Sequence, residues 1–139
     1  MNESDFTRAV NKGVSELDTS ILAKKVHDTL SSGWPDVEYI SNVGTYFVEY
    51  KLIKRKSPPK QLQPALSAQQ VLRCKAIYER QPNNICVVVT VELGRANYMI
   101  YVFKNPDQWE QKTNTETLLR FDSRHAYTTW LCSFCNNAV

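Results

Sequence analysis

Residues 35–53, PDVEYISNVGTYFVEYKLI, predict a β-hairpin around which the rest of the chain is arranged. Residues 35–41 form one predicted strand, and residues 45–53, which are β-branched and aromatic, form a stronger one. Asn42, Val43 and Gly44 supply the turn between them. With the turn centred on Asn42 and Val43, Asp36 lies directly opposite Glu49.

This register brings three charged side chains to one patch. Directly opposed residues project from the same face of a sheet, with Cβ atoms about 5 Å apart. Lys51 follows Glu49 by two residues, so the pleat places it on the face that Asp36 and Glu49 share. Facing carboxylates repel unless a cation lies between them, and hard carboxylate oxygens suit Mg²⁺.

Such a patch is suited to metal-assisted hydrolysis of a phosphodiester. Mg²⁺ would hold a phosphate oxygen, lower the pKa of a bound water and shield developing charge. Lys51 would orient the attacking hydroxide or stabilise the charged transition state. The alternative is a hairpin whose polar face is simply in contact with water, with Asp36, Glu49 and Lys51 as surface charges.

Pro-Asp, a turn and then Glu-x-Lys resemble the signature of the PD-(D/E)XK nuclease superfamily. More narrowly, the stretches GWPD (33–36), FVEYK (47–51) and LSAQQ (66–70) resemble the VRR-NUC (virus-type replication–repair nuclease) group. That group includes small stand-alone phage proteins, and the opening NESDF (2–6) is also similar to theirs. The resemblance covers residues 3–104 as an ordered set of motifs.

The resemblance implies a restriction-endonuclease-like core and a set of site residues. Asp36 and Glu49 would be metal ligands, the backbone carbonyl of Tyr50 a third ligand, and Lys51 the catalytic lysine. The cofactor implied is Mg²⁺, for which Mn²⁺ would substitute.

Two further residues are assigned through the same resemblance. Gln70 would match the helix glutamine that orients the site, with the adjacent Gln69 as an alternative. Glu3 would match a first-helix glutamate that reaches the metal through water. The other explanation of Glu3 is a helix charge favoured by the helix dipole.

The remaining periodicities predict a mixed β-sheet flanked by helices, of class α/β (α+β). Helices are predicted at residues 4–12, capped by Ser4, at residues 68–81, capped by Ser67, and at residues 123–136. Strands are predicted at residues 85–92 and 98–103, residues 21–30 are weakly helical or extended, and residues 107–120 are uncertain. The order is αββαββα in a single domain, residues 1–139, with a core at 3–104 and a helical C-terminal extension at 105–139.

The charge is concentrated in one segment. Residues 51–80 contain eight basic residues and one acidic residue, although the whole chain carries a net charge of only +3. One positive region on an otherwise acidic chain indicates a polyanionic partner, and a solvated loop and helix face is the alternative. Residues 54–64, where three prolines oppose regular structure, lengthen the loop after the catalytic strand relative to the family. The predicted phosphate contacts are Lys54, Arg55, Lys56 and Lys60.

Composition excludes several classes of protein. Hydrophobic residues make up 42% and charged residues 22% of 139 residues, which excludes a disordered tail, a collagen-like fibre and a coiled-coil rod. No apolar run is long enough to span a membrane, and the polar N-terminus is unlike a secretory signal peptide. The expected compartment is the cytoplasm, that of the host if the chain is phage-encoded. With four glycines, no nucleotide-binding loop is present.

These observations predict a Mg²⁺-dependent DNA endonuclease that selects branched or Holliday-junction-like DNA in phage replication, recombination or repair. A homodimer is expected, because small nucleases that cut both strands are often two-fold symmetric. Two alternatives stay open: a non-catalytic DNA-binding or partner-binding protein on the same fold, and an anti-defence or immunity protein that binds another enzyme.

Overall fold

The structure is a computed structural model that describes residues 1–26, 33–95 and 97–137. These residues form three α-helices, eight strands and two short 3-10 helices, at Pro106–Gln108 and Thr115–Thr117. The helices are α1 (Glu3–Leu17), α2 (Ala68–Arg80) and α3 (Arg124–Asn137). The strands are β1 (Leu22–Lys25), β2 (Val37–Ile40), β3 (Thr45–Lys54), β4 (Gln61–Leu62), β5 (Ile85–Gly94), β6 (Asn97–Phe103), β7 (Thr113–Asn114) and β8 (Leu119–Phe121). No helix among the described residues could cross a membrane.

One mixed sheet dominates the architecture. Its strand order is β1-β2-β3-β5-β6-β8. β3 and β5 run parallel, whereas the other neighbouring pairs are antiparallel. A parallel pair requires a crossover connection, and α2 lies in the one between β3 and β5. The predicted class, a mixed sheet flanked by helices, is confirmed.

The hairpin that the sequence predicts is formed by β2 and β3 in the expected register. Val37 pairs with Val48, and the N–H of Ser41 donates to the carbonyl of Gly44 at 2.9 Å, which closes the turn. Asp36 immediately precedes the first paired residue of β2. The register therefore brings Asp36 to the level of Glu49 on the neighbouring strand.

The sheet separates two hydrophobic cores. The even-numbered residues from Tyr46 to Tyr50 pack in the core that contains α1 and α3, whereas Phe47 packs in the core that contains α2. Because strand side chains alternate between faces, Glu49 and Lys51 project towards the α2 side. The residues that open β5 are buried on both faces of the sheet, because alternate side chains enter the two hydrophobic cores.

The first helix begins earlier and ends later than predicted. Asn2, rather than Ser4, is its N-cap: the Asn2 side chain accepts the N–H of Asp5 at 2.8 Å, and the Asp5 carboxylate accepts the N–H of Asn2 at 3.3 Å. This reciprocal capping box satisfies two N–H groups that the helix itself leaves unbonded. α1 then continues past residue 12 to Leu17, because Val14 also lies on its buried face.

The long elements keep the predicted order, and four short strands are added to it. The proline-rich loop, predicted to be irregular, contains β4, which pairs with β7. β1 shows that residues 22–25 are extended; residues 27–30 of the same predicted stretch lie outside the described residues. The C-terminal extension contains the predicted helix α3, and it also contains β8, which pairs with β6 in the main sheet.

Candidate active site

The candidate site lies where β3 extends beyond the end of the neighbouring strand β2. Within the described residues β2 begins at Val37, opposite Val48, while β3 continues to Lys54. Beyond Val48, two carboxylates accept hydrogen bonds from backbone N–H groups of β3. Asp36 Oδ2 accepts from the N–H of Tyr50 at 3.0 Å, and Glu3 Oε2 accepts from the N–H of Leu52 at 3.2 Å.

Glu49 is the buried centre of this site, with only 1% of its surface exposed. Its Oε2 accepts a hydrogen bond from Gln70 Nε2 at 3.1 Å and lies 3.5 Å from the Lys51 Nζ. Its Oε1 is buried and has no hydrogen-bond partner in the described part of the chain. Burying a carboxylate oxygen without a partner is costly. Oε1 is therefore the Glu49 oxygen that could bind a cation or a water.

Gln70 reaches Glu49 from the first turn of α2, where Ser67 is the N-cap, as predicted. The Ser67 Oγ accepts the N–H of Gln70 at 3.1 Å, and Gln70 Oε1 accepts the N–H of Ser67 at 2.9 Å. Because Oε1 is engaged by the cap, the amide nitrogen of Gln70 faces Glu49. The adjacent Gln69 is exposed, so Gln70 is the glutamine that the fold brings to the site.

Two carboxyl groups of the site, those of Glu49 and Glu3, have raised pKa values. Burial, and then the nearby Asp36, raises the pKa of Glu49 from 4.5 to about 8, against the opposing effect of Lys51. Burial and then Asp36 also raise the pKa of Glu3. Three acidic groups are therefore close enough to repel each other, and a cation among them would relieve that repulsion.

The backbone of Tyr50 faces the same edge. The N–H and C=O of one strand residue point towards the same neighbour, so the carbonyl of Tyr50 lies on the side where its N–H meets Asp36. Behind the sheet, the Tyr50 hydroxyl lies 2.7 Å from that of Tyr39 and 2.8 Å from that of Tyr127, and Tyr39 donates to Asn11 Oδ1 at 2.7 Å. This buried chain of hydroxyls anchors Tyr50 between α1 and α3.

The donor set fits a hard divalent cation. One edge of β3 carries the carboxylates of Asp36 and Glu49 and the backbone carbonyl of Tyr50. The Glu49 carboxylate has an unpaired buried oxygen. In the described residues no three histidine, cysteine, aspartate or glutamate side chains form a metal-binding cluster by themselves. A metal here would therefore need a backbone oxygen and waters as well, which is how Mg²⁺ is commonly bound.

The predicted phosphate contacts lie beyond this edge. Lys54, Arg55, Lys56 and Lys60 are all exposed, and no ion pair involves them in the described part of the chain. Their loop is fastened to the C-terminal extension, because Thr115 donates through its N–H to the carbonyl of Lys60 at 3.0 Å and through its hydroxyl to that of Pro59 at 2.8 Å.

Two features of the site were not predicted. Lys25 Nζ lies 3.4 Å from Ser4 Oγ and opposes the rise in the pKa of Glu3. Gly33 packs its backbone against the start of α2. In the sequence, nothing except its charge distinguished Lys25. The GWPD stretch includes Gly33, but the sequence did not indicate which residues Gly33 contacts. The structure brings together all six predicted residues at the edge: Glu3, Asp36, Glu49, Tyr50, Lys51 and Gln70.

The chain was compared with protein-family models, curated proteins and solved structures. No protein-family model matches the chain. No curated protein matches it either. Among solved structures, the chain is similar to Hjc from Archaeoglobus fulgidus, a Holliday junction resolvase from an archaeal hyperthermophile. The identity is 20%, the TM-score is 0.46, and the match covers 86% of this chain and 87% of that one. At this identity and TM-score the likeness establishes neither a family nor an activity for the chain.

Proposed function

We propose that the protein is a divalent-metal-dependent endonuclease that hydrolyses phosphodiester bonds in DNA. The observation that supports it best is the Glu49 carboxylate. It is buried, it leaves one oxygen without a partner, and it stands beside both the Lys51 ammonium and the Asp36 carboxylate. A hairpin whose polar face is merely in contact with water would leave these groups solvated, and Glu49 is not.

Each group at the edge then has a role that its position allows. Asp36, Glu49 and the carbonyl of Tyr50 would hold Mg²⁺, or Mn²⁺ in its place, and Glu3 would contact it through water. The ion supplies Lewis-acid polarisation of a phosphate oxygen and activation of water. Lys51, which is only partly exposed, would stabilise the negative charge that develops on the phosphate.

Gln70 would hold the Glu49 carboxylate in one orientation. By donating to Glu49 Oε2, its amide leaves Oε1 as the free oxygen. The same bond restricts rotation of a carboxylate that must remain in one orientation for a metal to bind. Gln70 would therefore orient a ligand rather than act on the substrate.

We propose branched, Holliday-junction-like DNA as the substrate, in phage replication, recombination or repair, and a homodimer as the acting form. The exposed cations of residues 54–60 support a polyanionic partner, because they lie next to the site on the same strand–loop connection. Phosphate contacts position the DNA and carry no sequence information. These contacts would therefore not restrict the base sequence that is cut.

The test is cleavage of a substrate panel by the purified protein. A four-way junction, a flap and a plain duplex are incubated with Mg²⁺, Mn²⁺ or EDTA. We expect cutting only with metal, and a loss of at least about 1,000-fold in rate for Asp36→Ala and Glu49→Ala, since these residues would act as one unit. Glu79→Ala, which removes an exposed glutamate from the last turn of α2, is the matched control and should keep the wild-type rate.

The same panel decides between the proposal and its alternatives. DNA binding in EDTA with no cutting in either metal would favour a non-catalytic DNA-binding protein. Absence of both DNA binding and metal dependence would favour the anti-defence or immunity protein. Full metal-dependent activity in Asp36→Ala and Glu49→Ala would remove the assignment of the site.

A further inference from the structure

Gly33 occupies a position that no other residue could fill without displacing backbone. Its φ is +83°, a conformation that L side chains rarely adopt. A Cβ added there would lie 2.5 Å from the carbonyl oxygen of Gln69, 2.6 Å from its carbonyl carbon and 3.0 Å from the nitrogen of Gln70. All three neighbouring atoms belong to the backbone, so rotation of a flexible side chain could not relieve the contact.

This contact joins the two halves of the candidate site. Gly33 lies three residues before Asp36, and Pro35 between them is buried. The peptide that Gly33 touches, between Gln69 and Gln70, belongs to the first turn of α2. One backbone-to-backbone contact therefore links the segment that carries Asp36 with the helical turn that holds Glu49.

The same turn is stiffened by its cap. Ser67 and Gln70 exchange two hydrogen bonds, of 2.9 and 3.1 Å, so the Gln70 amide has one orientation in which its nitrogen donates to Glu49 Oε2. Movement of this turn would move the hydrogen bond to Glu49. Because Gly33 rests on the turn, such a movement would also displace the segment that leads to Asp36.

We propose that Gly33 and Ser67 are positioning residues, which set the separation of the Asp36 and Glu49 carboxylates through the first turn of α2. The inference rests on the proposed function, because it concerns the binding of a divalent cation by the two carboxylates. Neither residue is among the proposed ligands of the cation. Groups that hold metal ligands in place typically change metal affinity by about 10- to 100-fold when they are altered.

The chain offers a matched control for a glycine substitution. Gly94, at the end of β5, also has a positive φ, of +141°, but a Cβ added there would meet nothing within 4 Å. Gly94→Ala therefore carries the conformational penalty of an alanine at positive φ without a collision. Any effect that Gly33→Ala shows beyond Gly94→Ala comes from the contact with α2.

The experiment measures metal binding apart from activity. Mg²⁺ is titrated calorimetrically into wild type, Gly33→Ala and Gly94→Ala without DNA, after circular dichroism has shown that each is folded. DNA affinity is measured in EDTA. We expect Mg²⁺ binding at least about tenfold weaker in Gly33→Ala, with wild-type Mg²⁺ affinity in Gly94→Ala and unchanged DNA affinity in both. Equal Mg²⁺ affinities in the two glycine variants would overturn the inference.

Ser67→Ala tests the inference without introducing a collision, should Gly33→Ala fail to fold. It removes the hydroxyl that accepts from Gln70, and we expect a weakening of Mg²⁺ binding of about threefold or more. Because Ser67 would act through Gln70, the double variant Ser67→Ala/Gln70→Ala should bind Mg²⁺ no more weakly than Gln70→Ala alone. Additive losses would overturn the role of Ser67.

Failure of the inference can be told from failure of the proposed function. Wild-type protein that binds neither Mg²⁺ nor Mn²⁺ overturns the proposed function, and the inference with it. Wild-type protein that binds Mg²⁺, together with undiminished affinity in Gly33→Ala and Ser67→Ala, overturns the inference alone and leaves the two carboxylates as the proposed ligands.

Discussion

At the scale of single residues, Glu49 differs strongly from an ordinary exposed carboxylate. A carboxyl group that is 1% exposed and has a pKa raised to about 8 keeps its proton at neutral pH unless a cation replaces it. In the metal-free protein, Glu49 would therefore be mainly protonated at neutral pH. Cation binding would release that proton, which ties metal affinity to pH.

The raised pKa of Glu49 predicts how the stability of the metal-free protein depends on pH. The folded value of about 8 exceeds the unfolded value of 4.5, so the folded state binds more protons between these limits. The stabilisation is complete below the unfolded pKa and is lost as the pH rises through the folded pKa. We expect the free energy of unfolding in EDTA, measured by urea denaturation, to fall over this range.

Glu49→Gln isolates this contribution because it keeps the size of the side chain and removes its titration. The variant should show a shallower decline of stability with pH than wild type. A smaller decline remains expected from Glu3, whose pKa is raised as well. Glu79→Gln, at an exposed position of α2, should retain the wild-type dependence. Identical profiles for wild type and Glu49→Gln would contradict the assignment of the shift to Glu49.

At the scale of elements, strand alternation and turn position were enough to predict the hairpin and the residues it carries. The centre of the turn at Asn42 and Val43 determined the register, and the register placed Asp36 level with Glu49. Strand side chains alternate between faces with a period of two residues, so Lys51 was predicted on the same side of the sheet as Glu49. These features depend on local sequence alone, which is why they could be predicted.

The elements that were missed depend on partners distant in sequence. β4 and β7 have two residues each and exist only because they pair with one another, and β8 has three. Segments so short show no periodicity to detect. The contact of Gly33 with α2 likewise joins distant segments, so a glycine before Pro-Asp could not reveal it. The orientation of the Gln70 amide depends on a cap and a carboxylate from two different elements.

β4 and its neighbour Thr115 carry a prediction about the basic loop. Thr115 is buried, and its hydroxyl and N–H bond to the carbonyls of Pro59 and Lys60. Thr115→Ala removes the hydroxyl bond and should let the loop fluctuate, because a flexible loop must lose entropy when it binds. We expect faster amide exchange at Gln61 and Leu62, and DNA affinity in EDTA lower by roughly three- to tenfold.

A second threonine of the same 3-10 turn provides the control for this prediction. The Thr117 hydroxyl donates to the carbonyl of Asn114, three residues before it, at 2.7 Å, and its side chain is exposed. Thr117→Ala should therefore leave both amide exchange in β4 and DNA affinity close to wild type. Unchanged exchange in Thr115→Ala, or equal changes in both variants, would show that Thr115 does not hold the loop.

At the scale of the whole molecule, much of the positive charge lies in the stretch of chain that begins at the candidate site. Residues 51–80 hold eight basic residues and one acidic residue, although the net charge of the chain is only +3. The segment begins with Lys51 at the site, continues through the exposed loop and ends with α2. A polyanion bound by the loop would therefore be held by residues that directly follow β3, the strand that carries Glu49 and Lys51.

This distribution of charge predicts that DNA binding weakens strongly as the salt concentration rises, and that the loop cations cause most of this effect. Each phosphate neutralised by a cation releases counterions, and log K falls with log salt by about 0.9 per contact on duplex DNA. If Lys54, Arg55, Lys56 and Lys60 each contact one phosphate, replacing all four by glutamine should reduce the slope by roughly 3 to 4. Fluorescence anisotropy in EDTA, with labelled junction at several salt concentrations, gives the slope without cleavage.

The control removes positive charge from a different surface. Arg8 and Lys12 are exposed on α1 and lie near acidic side chains of the same helix. Arg8→Gln/Lys12→Gln should leave the salt slope within about one unit of wild type. Because each cation contributes separately to counterion release, single glutamine variants of the loop should lower the slope in steps of about one. An unaltered slope in the fourfold variant would mean that the DNA follows another surface, and the loop would then lose its proposed role.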